Sequence, residues 1–264
     1  MLQTLLTSIV KQTGRIALII HLLSGAVIQQ VNAETLRVAV AANFKTTLEV
    51  LVENFEANSE HRVILASGST GKHYAQIRNG APFDLFFAAD ARRPRLLEQQ
   101  QRSVAGSRFT YAVGKLVLWS PKPGYVDDKG QVLASGTFRR LAMANPRLAP
   151  YGLAAKQVLQ QRGLYEHLQS RLVRGENIAQ TFQFVATGNA QLGFVALSQL
   201  QGSSMAQQGS LWTIPESLYD PIEQQAVLLN DTPAARAFIA YIKNEPAGRI
   251  IRRFGYATAS QERE

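Results

Sequence analysis

The chain has 264 residues, a formal net charge of +9, four histidines and no cysteine. Without cysteine there is neither a thiolate nucleophile nor a disulfide framework, and His21, His61, His73 and His167 are not spaced as metal-ligand pairs. The basic residues are scattered rather than gathered into a stripe, which excludes an obvious nucleic-acid surface; the densest group, Arg249, Arg252 and Arg253, alternates with apolar residues before Gly255 and reads as a solvated helix face.

Residues 1–33 read as a secretory signal peptide. Lys11 and Arg15 precede an apolar stretch over 16–28 that His21 interrupts, and Val31-Asn-Ala33 supplies small residues before a cleavage point. A membrane anchor is the competing reading, but the uncharged stretch is only marginally long and carries His21, Gln29, Gln30 and Asn32, against the ~20 mostly apolar residues of a span. No cysteine follows Ala33, so a lipid-attached thiol at the new terminus is excluded. Export also argues against a nucleic-acid partner.

From residue 34 onward, strands alternate with helices and no internal repeat is evident. Periodicity predicts strands at 36–42 and 62–66, helices at about 45–57 and 71–78, a strand at 84–88, and a helix at 91–101. Extended segments follow at 109–113 and 115–119, a strand at 141–144, helices at 153–162 and 178–186, a strand at 191–195 and one more at 211–214. Loops are expected at 120–130 and 202–209. The βαβ pattern implies an α/β fold with mostly parallel sheets covered by helices.

In such sheets ligands meet the carboxyl ends of strands and the starts of the following helices. Val38-Ala-Val-Ala-Ala-Asn43, Ala66-Ser-Gly-Ser-Thr-Gly-Lys72, Pro150-Tyr-Gly152 and Gly175-Glu-Asn-Ile178 each stand at such a start. Helix starts offer unpaired N–H groups and partial positive charge, so several converging on one point cage an oxyanion. A doubly charged tetrahedral oxyanion presents only acceptors at neutral pH. A donor-only cage therefore leaves a protonated ligand unpaired, at a cost of about 1 to 3 kcal/mol, and size alone separates it from sulfate.

Competing motifs fail at required positions. A nucleotide P-loop needs Gly at 66 and Ser or Thr at 73, where Ala66 and His73 stand. A nucleophile elbow needs Gly at 67, where Ser67 stands. Taken singly, Asn43 also reads as a helix cap and Tyr151 as packing at a helix start. His73 is expected on a helix surface, Asp84 and Asp90 as turn and cap residues rather than a catalytic pair, and Lys72 near enough to attract an anion without touching it.

Val38-Ala-Val-Ala-Ala-Asn43, Gly68-Ser-Thr-Gly-Lys72, Gln76-Ile-Arg-Asn-Gly-Ala-Pro-Phe-Asp84, Ala88-Ala-Asp90 and Leu192-Gly-Phe-Val195 together resemble the periplasmic molybdate-binding proteins of ABC importers. The resemblance runs from about Leu36 to Gly255. It implies a two-lobed type II periplasmic-binding-protein fold whose chain crosses between lobes twice. Lobe one is expected over 34–114 and 225–264, lobe two over 115–224, with hinge closure around the ligand. It implies a molybdate site made by Ala42, Asn43, Ser69, Thr70, Tyr151 and Ile178, with Asn43 giving backbone and side-chain donors. Tyr151 and Ile178 would donate mainly through backbone N–H. Ala42 lacks a hydroxyl that some relatives carry, and Ala196 stands where others place Tyr.

The resemblance further implies a soluble periplasmic monomer without a cofactor, which captures molybdate or tungstate for an inner-membrane permease driven by a cytoplasmic ATPase. A receptor of the same fold for sulfate, phosphate or chelated iron stays open; for iron, of the Tyr, His and carboxylate ligands wanted, only Tyr151 is in place. An exported hydrolase lacks any adjacent nucleophile and base, so no enzyme activity is expected.

Overall fold

Two five-stranded sheets organise the chain. The computed structural model describes residues 33–207 and 209–257; the expected signal peptide lies outside them except for Ala33. In chain order the elements are β1 (Thr35–Ala41), α1 (Lys45–Glu56), β2 (Arg62–Gly68), α2 (Thr70–Arg78), β3 (Leu85–Phe87), α3 (Arg92–Gln99), β4 (Phe109–Gly114) and β5 (Leu116–Ser120). There follow α4 (Val132–Ser135), β6 (Leu141–Ala144), α5 (Pro150–Gln161), α6 (Tyr165–Leu168), β7 (Leu172–Gly175), α7 (Ile178–Ala186), β8 (Leu192–Ala196) and α8 (Leu197–Gln201). The chain ends with β9 (Ser210–Thr213), β10 (Ile222–Leu228), α9 (Pro233–Ile242) and α10 (Glu245–Arg253).

The first sheet has the order β2-β1-β3-β10-β4 and the second β7-β6-β8-β5-β9. In the first, β1 runs parallel to β2 and β3, while β10 is antiparallel to both β3 and β4. In the second, β6 runs parallel to β7 and β8, while β5 is antiparallel to β8 and β9. The βαβ pattern thus accounts for the parallel half of each sheet. The strand that enters each sheet from the other half of the molecule, β5 or β10, runs against it, so both sheets are mixed rather than mostly parallel.

Burial follows the sequence pattern. Central β1 carries Val38, Ala39 and Val40 fully buried, as a strand covered on both faces must. Helix α1 turns Leu48, Leu51, Val52 and Phe55 inward at helical spacing, where they join Phe44, Phe87 and Phe238 in one core. A separate core gathers Leu118, Met143, Leu159 and Phe194 around the second sheet. No helix among the described residues is long and apolar enough to cross a membrane.

Three elements carried little sequence signal. Helix α9 begins at the N-cap Thr232, whose side chain accepts the Ala235 N–H, with Pro233 at the first turn. Strand β7 is only half-buried. Strand β10 is interrupted by Glu223, Gln224 and Gln225, and its pairing with β4 shifts register between the two glutamines. It begins at Ile222, so the expected lobe boundary at 225 falls inside it.

Candidate functional site

Helices α1, α2, α5 and α7 each follow the carboxyl end of a parallel strand, β1, β2, β6 and β7 respectively. Their starts meet around one cavity lined by Ala42, Asn43, Ser69, Thr70, Tyr151 and Ile178, with Asn177 and the apolar Ala41, Ala89, Ala149 and Pro150. The structure therefore brings together all six residues singled out from the sequence. The free volume is about 10 Å³, against roughly 300–1,000 Å³ for sites that hold drug-sized organic ligands. The four helix starts thus close on one small space, which in this arrangement leaves no room for a bulky organic ligand.

Local sequence decides which donors face this space. In α5 the first residue is Pro150, without an N–H, and the N–H groups of Gly152 and Leu153 both donate to the Ala149 carbonyl. That leaves Tyr151 N–H without an acceptor among the described residues. In α7 the Asn177 side chain caps the Gln180 N–H at 3.0 Å, leaving the Ile178 N–H at the helix start. In α2 the Ser69 hydroxyl accepts the Lys72 N–H at 3.4 Å, and the Thr70 hydroxyl accepts the Ala89 N–H at 3.0 Å. Each oxygen is thus held as an acceptor by the backbone, and its hydrogen remains to donate. The N–H groups of Asn43, Ser69 and Thr70 also have no acceptor among the described residues.

Two residues play parts different from those expected. Ala42 donates its N–H to the Gly68 carbonyl at 2.9 Å, so it lines the cavity as an apolar wall. Asn43 gives no side-chain hydrogen to the cavity, because its Nδ2 donates to Gln224 Oε1 at 2.7 Å and to the Tyr256 hydroxyl at 3.1 Å. Its carbonyl accepts from the Tyr256 hydroxyl at 2.9 Å and from Ser198 Oγ at 3.2 Å. Asn43 is clamped on side chain and carbonyl, and its N–H alone is offered. Burial pushes the phenol pKa values of Tyr111, Tyr151 and Tyr256 upward, so all three hydroxyls keep their protons.

Among the described residues, no charged side chain lines the cavity. Lys72 instead pairs with Glu176 at 3.0 Å, both about half exposed, bridging α2 to the loop before α7. Other bonds join the two sheets' loops beside the cavity: Gly71 N–H to the Leu148 carbonyl at 2.9 Å, and the Arg93 guanidinium to the Arg147 carbonyl at 3.0 Å. His73, expected on a surface, is buried at 3% exposure because α2 turns it between Phe83 and Phe86, with Nδ1 against Gln76 Oε1 at 3.0 Å. Asp84 accepts from Arg37 N–H and Asn230 Nδ2, and Asp90 accepts from Arg93 N–H. Both are tie points in turns. Sequence reasoning missed Gln224, Tyr256, Tyr111 and Ser198; the available signal was polar residues set within an otherwise apolar strand and beside a glycine.

A family model described as bacterial extracellular solute-binding protein matches residues 36–257. The molybdate-binding protein ModA of Azotobacter vinelandii is 51% identical over 242 residues, covering 90% of this chain and 96% of that protein. ModA of Rhodobacter capsulatus is 47% identical over 223 residues, covering 83% of this chain and 87% of its own. The solved structure of the Azotobacter vinelandii periplasmic molybdate-binding protein superposes with a TM-score of 0.81 at 46% identity, over 84% of this chain and 98% of that one. That likeness carries the α/β, type II periplasmic-binding-protein fold expected from the sequence. The chain belongs to the bacterial extracellular solute-binding protein family.

Proposed function

We propose that this chain is the receptor of a molybdate importer, binding molybdate or tungstate in the cavity between its two sheets without changing it covalently. The carrying observation is the convergence of unpaired N–H groups from Asn43, Ser69, Thr70, Tyr151 and Ile178, with the Ser69 and Thr70 hydroxyls, on a small cavity without a charged side chain. Such a set satisfies an anion that only accepts. Lacking a buried Lys or Arg, it also carries no uncompensated charge when the ligand is absent. The similarity to proteins named for molybdate binding supports the same reading.

The anion would be held by those donors, with Ala42 as wall. The two sheets would form two lobes, one from 34–114 and the return beginning in β10, the other between them, and ligand would hold them closed. The chain would be exported, its leader removed after Ala33, and act in the periplasm as a monomer. It would deliver the anion to an inner-membrane permease with a cytoplasmic ATPase. Molybdate is the ligand here, and no cofactor is required. Titration calorimetry of the purified protein with molybdate, tungstate, sulfate and phosphate tests the proposal. Tight binding of the first two and at least about tenfold weaker binding of the others is expected. Equal binding of sulfate would refute the role of cavity size, and absence of molybdate binding would refute the reading.

A further inference from the structure

Gln224 is fully buried on β10, at the place where the chain returns to the first sheet. Its amide touches donors' supports from both halves. Oε1 accepts from Asn43 Nδ2 at 2.7 Å and lies 3.1 Å from the Tyr111 hydroxyl, while Nε2 donates to the Tyr151 hydroxyl at 3.3 Å. Asn43 precedes α1 of the first sheet and Tyr151 opens α5 of the second, and each offers its own N–H to the cavity. Gly114, paired with Ile222 where β4 leaves for β5, makes the meeting possible. A Cβ there would stand 2.1 Å from the Tyr151 hydroxyl oxygen and 2.7 Å from Gln224 Nε2.

We infer that Gln224 is a positioning residue, its amide joining Asn43 to Tyr151 so that their N–H groups are set at the spacing one oxyanion requires. The inference rests on the oxyanion reading of the cavity. The polarity of the amide matters as well as its size. Because Nε2 donates to the Tyr151 hydroxyl, that hydroxyl is an acceptor towards Gln224 and its hydrogen is turned elsewhere. An ionised carboxylate in place of the amide would reverse that bond, drawing the Tyr151 hydrogen to itself, and would set a negative charge beside the anion. A protonated carboxyl would restore the original direction.

The test is the ratio of native to Q224E molybdate affinity across pH 5 to 8, read by calorimetry. Groups facing the position are the hydroxyls of Tyr111, Tyr151 and Tyr256, protonated throughout because burial raises their pKa values, with Asp90 acting on Tyr111 and itself paired with Arg93. His73 also titrates, and the ratio cancels its effect and any protonation of the anion itself. The expected ratio exceeds about tenfold at pH 8 and shrinks steadily towards pH 5, as the buried carboxyl takes up a proton. Q224M, of similar length and without hydrogen bonds, is expected to weaken binding about tenfold, and to do so less in a Y151F background, since both changes break the same bond. A ratio that does not vary with pH, or Q224M affinity within twofold of native, overturns the inference while native binding stands. Failure of the native chain to bind molybdate removes the oxyanion reading and this inference with it.

Discussion

Thr70 offers the sharpest separation of binding from folding. Its hydroxyl oxygen accepts the Ala89 N–H at 3.0 Å, and its hydrogen has no acceptor among the described residues. Thr70→Val keeps the shape and removes both functions. The lost donor to a charged ligand is worth about 1.5–3 kcal/mol, a fall of roughly 10- to 150-fold in molybdate affinity. The orphaned Ala89 N–H costs about 1–3 kcal/mol of stability, or roughly 2–12 °C in Tm for a chain of this size. Because that N–H is unpaired in free and bound protein alike, its penalty cancels from the binding free energy. Calorimetry with molybdate and ligand-free thermal unfolding therefore read two independent consequences of one substitution. A variant with lowered Tm but native affinity would show that the hydroxyl is structural only, and would refute the donor assignment.

Other substitutions probe the walls and the charge. In Gly71→Ala the new Cβ would stand 3.0 Å from the Leu148 backbone, where loops of the two sheets touch beside the cavity, so calorimetry should show molybdate affinity down at least about tenfold with ligand-free Tm little changed. Gly152→Ala would put a Cβ 2.3 Å from the Ala144 carbonyl within one half and should instead lower Tm whether or not ligand is present. Lys72→Met removes a half-exposed ion pair worth at most about 1 kcal/mol, so affinity should fall less than about fivefold, and less still in high salt. A larger, salt-independent loss would mean that Lys72 touches the anion. His73 is held by burial below its ordinary pKa of 6.5, so below that pH the unfolded chain takes up a proton that the folded chain resists. Stability should be full above about pH 6.5 and decline as pH falls towards the folded value; His73→Leu should abolish the decline between pH 7 and 5.5 in denaturant titrations.

Much of the site was legible because helix starts leave a local trace. Pro150 before Tyr151, Asn177 before Ile178 and the Ser69-Thr70-Gly71 turn each write a cap into adjacent residues, and the βαβ pattern puts such starts on one edge of a sheet. What escaped was long-range. That the Asn43 side chain binds Gln224 and Tyr256 rather than a ligand depends on residues 181 and 213 positions away, and no local pattern carries it. The burial of His73 depends likewise on Phe83 and Phe86, which arrive from the following loop and strand. Strand β10 escaped because its middle is polar, and that polarity exists to serve the crossing between the sheets. The antiparallel half of each sheet was invisible for a related reason: β5 and β10 enter from the other half of the molecule, which periodicity does not record.

In the proposed complex, neutral donors from both halves hold a single dianion. Locating molybdenum by anomalous scattering in crystals of the complex tests it most directly. The metal is expected in the cavity between α1, α2, α5 and α7, its oxygens within hydrogen-bonding distance of the N–H groups of Asn43, Ser69, Thr70, Tyr151 and Ile178 and of the Ser69 and Thr70 hydroxyls. Molybdenum bound elsewhere, or bound here through a Lys or Arg side chain, would contradict it.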